Sequence, residues 1–199
     1  VMIVSGDKDM VERTKYPNVQ QYRPVQRSMY DVDDPKRHEF DLIVKGDKDD
    51  GVPNILSPDD FFKTQFMVKQ SGQPTPRAAP IATKFLDKFW DEVYNKPHCD
   101  DDIKTFLDVV SEEFNAKQRK KNEHHVDIDA YANFVRNRKL ISLNYIPDLL
   151  RDAILNAYEN ANRNGIMKTL TYMQQNNMHI LGKEIKGFEP KRVARNRLF

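Results

Sequence analysis

The sequence predicts the end of an α/β unit followed by a mainly α-helical region. Three observations predict this fold class. Short apolar runs of β type are confined to the first 30 residues, whereas apolar residues beyond residue 80 recur with the period of an α-helix. Between the two regions lies a Pro-rich segment, residues 70–80, which is typical of a linker or an exposed loop.

The composition of this 199-residue chain bounds what it can be. Apolar residues make up 39% of the chain, which is too large a share for a disordered chain. Charged residues make up 31%, which is too large a share for a membrane protein. No run approaches the roughly 18 apolar residues that span a bilayer, and no signal-peptide pattern opens the sequence, so we expect no membrane partner. The single cysteine, Cys99, excludes an internal disulfide and favours a reducing, cytoplasmic location. The formal net charge of +2 indicates no partner by itself.

The first third of the chain contains the predicted strands. In chain order, we expect a buried strand at 1–5, a helical turn at 9–15, and two strands of a hairpin at 19–22 and 25–30. The chain starts with Val1, inside an apolar run, rather than with a methionine. We therefore expect it to be the later part of a larger protein.

The first helix is predicted by its end signals. Asp34 is a good N-cap and Pro35 suits the first helical position. An apolar stripe follows on one face, and Gly46 ends the helix. After it we expect an acidic Gly/Pro loop at 46–53 and a second helix at 59–69.

Beyond the Pro-rich segment, apolar residues repeat at helical spacing in four stretches. The stripes are Ala82, Phe85, Leu86, Phe89, Trp90 and Val93; Ile103, Phe106, Leu107, Val110 and Phe114; Ile128, Tyr131, Ala132 and Val135; and Leu150, Ala153, Ile154, Ala157, Tyr158 and Ala161. Each stretch is predicted to be a helix with one apolar face.

One short acidic pattern occurs twice, at residues 3–9 and 43–50. Each copy places carboxylates directly after an apolar element that can hold them rigidly, and ligands of open α/β sheets gather beyond the carboxyl ends of strands. Clustered Asp oxygens without His or Cys favour Mg²⁺ or Mn²⁺ over Zn²⁺. Two such clusters brought together could hold two ions about 3.5–4 Å apart, the arrangement that cleaves phosphodiesters.

Other interpretations of these motifs remain open. Either copy alone is commonly a turn or a helix cap. An EF-hand fits the second copy poorly, because Gly51 comes one place early when counted from Asp47, and Pro58 stands where the loop needs Glu. A haloacid-dehalogenase-like phosphatase would need an earlier nucleophilic Asp motif, which the sequence does not show.

Together, the two motifs resemble the flap endonuclease (5′-nuclease) family, in particular the ribonuclease H enzymes of T-even-like bacteriophages. The resemblance is carried by VSGDKD at 4–9 and KGDKDDGVP at 45–53, by YPNV at 16–19, and by NYIPD at 144–148. It covers most of the chain and is strongest in residues 1–55. It implies that 1–56 is the C-terminal part of the nuclease α/β domain, with a helix-loop-helix motif, and that 57–199 is a helical C-terminal domain.

The resemblance also implies roles for the aspartates. Asp7 and Asp9 would be catalytic ligands of one Mg²⁺ or Mn²⁺ ion, and Asp47 and Asp50 would serve the second ion. Asp49 has no certain counterpart in the family.

The loop from Lys45 to Ile55 resembles the family's helix-loop-helix element, which binds duplex DNA by its backbone. Its DNA-binding residues would be Lys45, Gly46, Lys48 and Gly51, because the glycines let main-chain N–H groups approach phosphate and the lysines add charge.

The implied function is a divalent-metal-dependent 5′-nuclease that removes RNA primers and 5′ flaps from duplex DNA during replication. The family's fold begins with a metal-binding strand and a basic helical arch, and neither precedes Val1, so we expect an incomplete active site in this chain alone. The alternative is a non-catalytic duplex-DNA-binding module.

The expected partners are duplex DNA or RNA/DNA with a 5′ end or flap, in the cytoplasm of a phage's host. The basic C-terminal tail, 191–199, suggests a sliding clamp and a single-strand-binding protein as further partners.

Overall fold

The chain divides into two compact units, residues 1–146 and residues 147–199. The structure, a computed structural model, describes residues 1–97, 99–122, 125–160 and 165–178, so the predicted partner-binding tail at 191–199 lies outside the described residues. The domain boundary predicted after residue 56 falls inside the first unit, because the core joins side chains from both sides of that position. In the described part of the chain, no helix is long and apolar enough to cross a membrane.

A three-stranded sheet opens the first unit. Its strands are β1 (Met2–Val4), β2 (Gln20–Arg23) and β3 (Ser28–Met29), in the order β1-β2-β3, with β1 parallel and β3 antiparallel to β2. A 3-10 helix, Lys8–Lys15, connects β1 to β2. The strand at the N-terminus is confirmed, but its predicted burial was wrong. Met2 and Val4 share one face of an edge strand, and both are more than half exposed.

Helix α1 (Pro35–Lys45) begins and ends where its sequence signals predict. Asp34 Oδ1 accepts hydrogen bonds from the backbone N–H groups of Lys36, at 2.9 Å, and Arg37, at 3.0 Å. Its apolar stripe is fully buried and consists of Phe40, Ile43 and Val44. Gly46 ends the helix with a φ of +72°.

The core of the first unit forms where four helices meet. The remaining helices of this unit are α2 (Phe61–Gln70), α3 (Thr83–Phe89) with a π-helical turn (Trp90–Tyr94), α4 (Asp100–Arg119), α5 (Ala130–Ile141) and a 3-10 turn (Leu143–Tyr145). Phe89 lies in the middle of the core, with its ring centroid 5.1 Å from that of Phe40, 4.8 Å from Phe106 and 5.7 Å from Phe134. These contacts join α1, α3, α4 and α5.

The Pro-rich segment is held against the first unit instead of separating two domains. Asn54 Nδ2 donates to the carbonyl oxygen of Ala79 at 2.7 Å, and Gln65 Nε2 donates to that of Pro76 at 3.0 Å. The segment is therefore an exposed loop whose backbone is anchored at two points.

The second unit contains α6 (Asp148–Glu159) and α7 (Gly165–Gln175). The predicted helix around the stripe that starts at Leu150 is confirmed, but the stripe is not part of a core. Leu150, Ile154 and Tyr158 are all more than half exposed.

Candidate metal centre

Two loops of the first unit bring three carboxylates together. Asp9 lies at the start of the 3-10 helix that follows β1, while Asp47 and Asp50 lie in the loop that follows α1. One carboxylate oxygen from each of the three lies within 4.8 Å of the others. The two acidic motifs of the sequence thus meet in space.

The loop after α1 owes its shape to Gly46. The backbone N–H of Val52 donates to the carbonyl oxygen of Asp47 at 2.7 Å, which closes the loop on itself. A Cβ at Gly46 would lie 2.3 Å from the carbonyl oxygen of Val52, so this approach requires glycine. The tight turn places Asp47 in the interior, where the residue is only 2% exposed.

Helix α5 holds the same loop through two buried asparagines. Asn137 Nδ2 donates at 2.8 Å to the carbonyl oxygens of both Ile43 and Pro53. One turn earlier, Asn133 Nδ2 donates at 3.0 Å to two further carbonyl oxygens, those of Ile55 and Ser57. Asn137 therefore ties the end of α1 to the far end of the acidic loop.

A buried glutamine holds the loop after β1 in a similar way. Gln21 Nε2 donates to the carbonyl oxygens of Ser5, at 2.9 Å, and Asp7, at 2.6 Å. Gln21 lies on β2 and is 1% exposed. Side-chain amides from neighbouring elements thus position both acidic loops.

Asp9 is in an unfavourable environment for a carboxylate. Burial and the nearby carboxylates of Asp7, Asp50 and Asp47 raise the pKa of Asp9 to about 6, and Lys8 opposes this only in part. Asp9 Oδ1 is buried and accepts no hydrogen bond from any described residue. A buried acceptor without a partner costs free energy that a bound cation or proton would recover.

The negative charge of Asp47 is balanced by the positive charge of a lysine. Lys8 Nζ lies 2.7 Å from Asp47 Oδ1, 2.6 Å from Asp47 Oδ2 and 3.4 Å from Asp49 Oδ2. Burial alone would raise the pKa of Asp47, but the Lys8 ammonium and the backbone N–H groups of Asp49 and Asp50 lower it overall. The hydrogen bond to Asp47 in turn raises the pKa of Lys8.

Asp7, the fourth predicted metal ligand, lies outside the group of three. Asp7 Oδ1 accepts a hydrogen bond from the backbone N–H of Asp9 at 3.1 Å and caps the 3-10 helix. Its charge still contributes to the high pKa of Asp9.

The predicted DNA-binding residues lie at the end of α1 and in the loop that follows it. Lys45 forms an ion pair with Asp41 at 2.7 Å, and Lys48 is exposed with no side-chain partner among the described residues. Gly51 has a φ of +73°, with open space around its Cα. The structure leaves their role in DNA binding as a prediction.

Sequence reasoning missed the residues that hold the aspartates in place. The asparagines at 133 and 137 could have been noticed, because their spacing puts them on the same face of α5 as the buried Ala130, Phe134 and Ile141. Nothing in the sequence indicates the contact of Lys8 with Asp47, because 39 residues separate them.

The donor set fits a hard divalent cation. All three groups are carboxylates, neither His nor Cys belongs to the cluster, and oxygen ligands of this kind favour Mg²⁺ or Mn²⁺. A cation at the centre would also provide the buried Asp9 oxygen with a partner. The three carboxylates therefore form a group that could hold a divalent metal ion.

Comparison with known proteins gives one informative match. No family model matches the sequence. The chain is 25% identical over 161 residues to ribonuclease H of Enterobacteria phage T4, which covers 79% of this chain and 42% of that protein. The chain thus spans less than half the length of this relative. The similarity supports a relationship to a phage nuclease.

Proposed function

We propose that this chain forms part of a divalent-metal-dependent 5′-nuclease that acts on 5′ ends or flaps of duplex DNA or RNA/DNA in replication. The observation that carries the proposal is the meeting of Asp9, Asp47 and Asp50, with one buried Asp9 oxygen left without a donor. The similarity to a phage ribonuclease H supports the same class of reaction. Such an enzyme would act in the cytoplasm of the host cell.

The three clustered aspartates would hold Mg²⁺ or Mn²⁺. When bound, such an ion supplies an activated water and neutralises the charge that develops on the phosphate. The rigid loops keep the carboxylates close together, so little reorganisation is needed on binding. Three carboxylates provide fewer oxygen ligands than such an ion takes, and we propose that the others come from outside the described residues.

The loop between α1 and α2 is the proposed contact with duplex DNA. Lys48 is exposed, and the open space beside Gly51 leaves room for a phosphate to approach the main chain. Contacts of this type do not depend on base sequence, and the affinity falls steeply as salt increases.

Metal binding is tested by melting the full chain in chelator and in millimolar Mn²⁺. We expect Mn²⁺ to raise the melting temperature of the wild type, because it binds the folded state only. Asp9→Asn and Asp50→Asn should lose most of this increase, while Asp91→Asn, an exposed aspartate outside the cluster, should keep it. Equal effects of Mn²⁺ on all four proteins would refute the site.

Nuclease activity is tested with a labelled 5′-flap duplex and Mg²⁺. The chain is assayed alone and together with a segment, in cis or in trans, that supplies further carboxylates. We expect metal-dependent cleavage when the ligand set is complete, and loss of cleavage in Asp9→Asn. Flap binding without cleavage in both arms would instead identify a non-catalytic DNA-binding module.

A further inference from the structure

Lys8 is a cation built into the carboxylate cluster. It belongs to the first acidic motif, yet its ammonium lies within 2.7 Å of both oxygens of Asp47 in the second motif. The Asp47 side chain is 1% exposed, so solvent screens this ion pair only weakly. Both oxygens of one predicted metal ligand therefore lie beside a positive charge, although only Oδ1 accepts a hydrogen bond from it.

The other two carboxylates of the cluster lack such a partner. Neither Asp9 nor Asp50 forms a side-chain ion pair with a described residue, and Asp9 Oδ1 accepts no hydrogen bond there. The cluster is thus asymmetric, with a compensated half at Asp47 and an uncompensated half at Asp9 and Asp50. A divalent ion gains most on the uncompensated half, where no positive charge has to be displaced.

We propose that Lys8 takes the place of a second divalent ion at Asp47, so that the cluster binds a single ion while Lys8 stays in position. This inference rests on the proposed metal-dependent function. A second ion at Asp47 would come within a few ångströms of the ammonium, and the repulsion between the two cations would oppose it. Lys8 is therefore a positioning residue that orients Asp47 and sets the number of ions.

The test counts Mn²⁺ ions bound to the full chain by electron paramagnetic resonance. The wild type should bind one ion. Lys8→Met, which keeps an unbranched side chain without charge, should bind a second ion in the same concentration range. Lys8→Arg, which keeps the charge, should behave like the wild type, and Lys8→Gln serves if the Met variant does not fold.

Melting temperatures give a second readout that a simple ion pair would not produce. Without metal, Lys8→Met should melt below the wild type, because the carboxylates repel each other; saturating Mn²⁺ should remove the difference. A deficit that persists unchanged in Mn²⁺ indicates a purely structural ion pair and overturns the inference. Two equivalent Mn²⁺ ions in the wild type, or unchanged binding in Lys8→Met, also overturns it. If no protein binds Mn²⁺, the proposed metal function itself fails.

A second, independent feature is the arginine of the Pro-rich segment. Arg77 lines a cavity of about 340 Å³ together with Lys45 and Lys48. Arg77 and Lys48 are exposed, and neither side chain has an ion-pair partner among the residues that the structure describes. The hydrogen bonds to the carbonyl oxygens of Pro76 and Ala79 hold the backbone on both sides of Arg77.

We infer that Arg77 binds a backbone phosphate of a nucleic-acid duplex beside the proposed DNA-binding loop. Arg77 and Lys48 line the cavity without an ion-pair partner among the described residues, while Lys45 is already paired with Asp41. Two such cations fit an anionic ligand, and the anchored backbone reduces the entropy lost when the arginine is ordered. The inference rests on the proposed DNA-binding function of the loop and adds a residue from a segment outside it.

The test measures the salt dependence of duplex binding by the full chain. Removing one phosphate contact should lower the slope of log affinity against log salt by about one and weaken binding equally on all sequences. We expect this for Arg77→Ala and Lys48→Ala, and no change for Lys117→Ala on α4. An effect of Lys48→Ala but not of Arg77→Ala overturns only this inference. No effect of either variant refutes the DNA-binding loop as well.

Discussion

At the scale of single residues, two glycines of the acidic loop differ in why they are needed. Both have a positive φ, +72° at Gly46 and +73° at Gly51. A Cβ at Gly46 would also collide with the backbone of Val52 and Pro53, whereas a Cβ at Gly51 would meet nothing within 4 Å. Substitutions at these two glycines therefore distinguish the free-energy cost of backbone strain from the cost of a steric collision.

We predict that Gly51→Ala lowers the free energy of unfolding by about 1 kcal/mol, the cost of a left-handed alanine. Gly46→Ala should cost roughly 3 kcal/mol or more, because the backbone must also move away from the new methyl group. Urea denaturation of the two variants measures both values. Equal losses would show that the close approach at Gly46 is not rigid.

Glu39 is a second residue with a measurable effect, because its protonation makes the stability of the fold depend on pH. Burial is the main reason why the pKa of this α1 carboxyl is raised, and the neighbouring Glu12 carboxyl adds to it. A hydrogen bond with Ser142 and the nearby basic side chains lower the pKa but do not cancel the increase. The folded state therefore binds the proton more tightly than the unfolded state, and stability decreases as pH rises from 4.5 through the higher, folded pKa.

We predict that Glu39→Gln is more stable than the wild type at pH 7, because the amide carries no charge to bury and can still bond Ser142. The advantage should shrink as pH falls and be lost near pH 4.5, where the wild-type carboxyl is protonated. Thermal melting across this pH range measures it. Glu113→Gln, at an exposed position on α4, is the control and should show no such trend.

At the scale of elements, α5 acts as the support of the acidic loop. Asn137 is fully buried and donates to two carbonyl oxygens, one at the end of α1 and one beyond the loop. Ile43 and Pro53 are themselves buried, and the carbonyl oxygen of Pro53 would keep only a longer hydrogen bond from Arg136, at 3.3 Å. The cost of removing Asn137 is therefore the cost of leaving buried acceptors poorly satisfied.

We expect Asn137→Ala to lower the free energy of unfolding by about 2–4 kcal/mol, since two buried hydrogen bonds are lost together. Asn95→Ala, at an exposed position after the π-helical turn, should change it by less than about 0.5 kcal/mol. Chemical denaturation of both variants is the measurement. A near-neutral Asn137→Ala would mean that water satisfies the two carbonyls.

At the scale of the whole molecule, the apolar core formed by the described residues lies within the first unit. All its buried members fall between Phe40 and Ile141. A hydrogen bond joins residues near the two ends of this unit, since Asn144 Nδ2 donates to Glu12 Oε1 at 3.1 Å. The parts of the candidate metal centre belong to this unit as well.

We predict that a chain of residues 1–146 folds cooperatively by itself and melts within a few degrees of the full chain. It should also keep the increase in melting temperature on addition of Mn²⁺. Calorimetry with and without Mn²⁺ measures both. A broad, non-cooperative transition for residues 1–146 would show that the second unit is needed for the core.

The sequence by itself determined the elements whose signals are local. The N-cap Asp34, the apolar stripe of α1 and the glycine at 46 lie within a few turns of each other, so the helix and its ends could be predicted from neighbouring residues. The two acidic motifs were equally visible, because each is a short run after an apolar element. Burial was less predictable: β1 and the stripe of α6 have the expected pattern but are exposed.

Only the tertiary structure decided which side chains meet. It brought Asp9 to Asp47 and Asp50 and left Asp7 as a cap, and it placed Lys8 on Asp47. The contacts that position the second acidic loop join residues as far apart as Asn137 and Ile43, which are 94 positions apart. Such contacts depend on how helices pack around a shared core, and local sequence patterns carry no information about that packing.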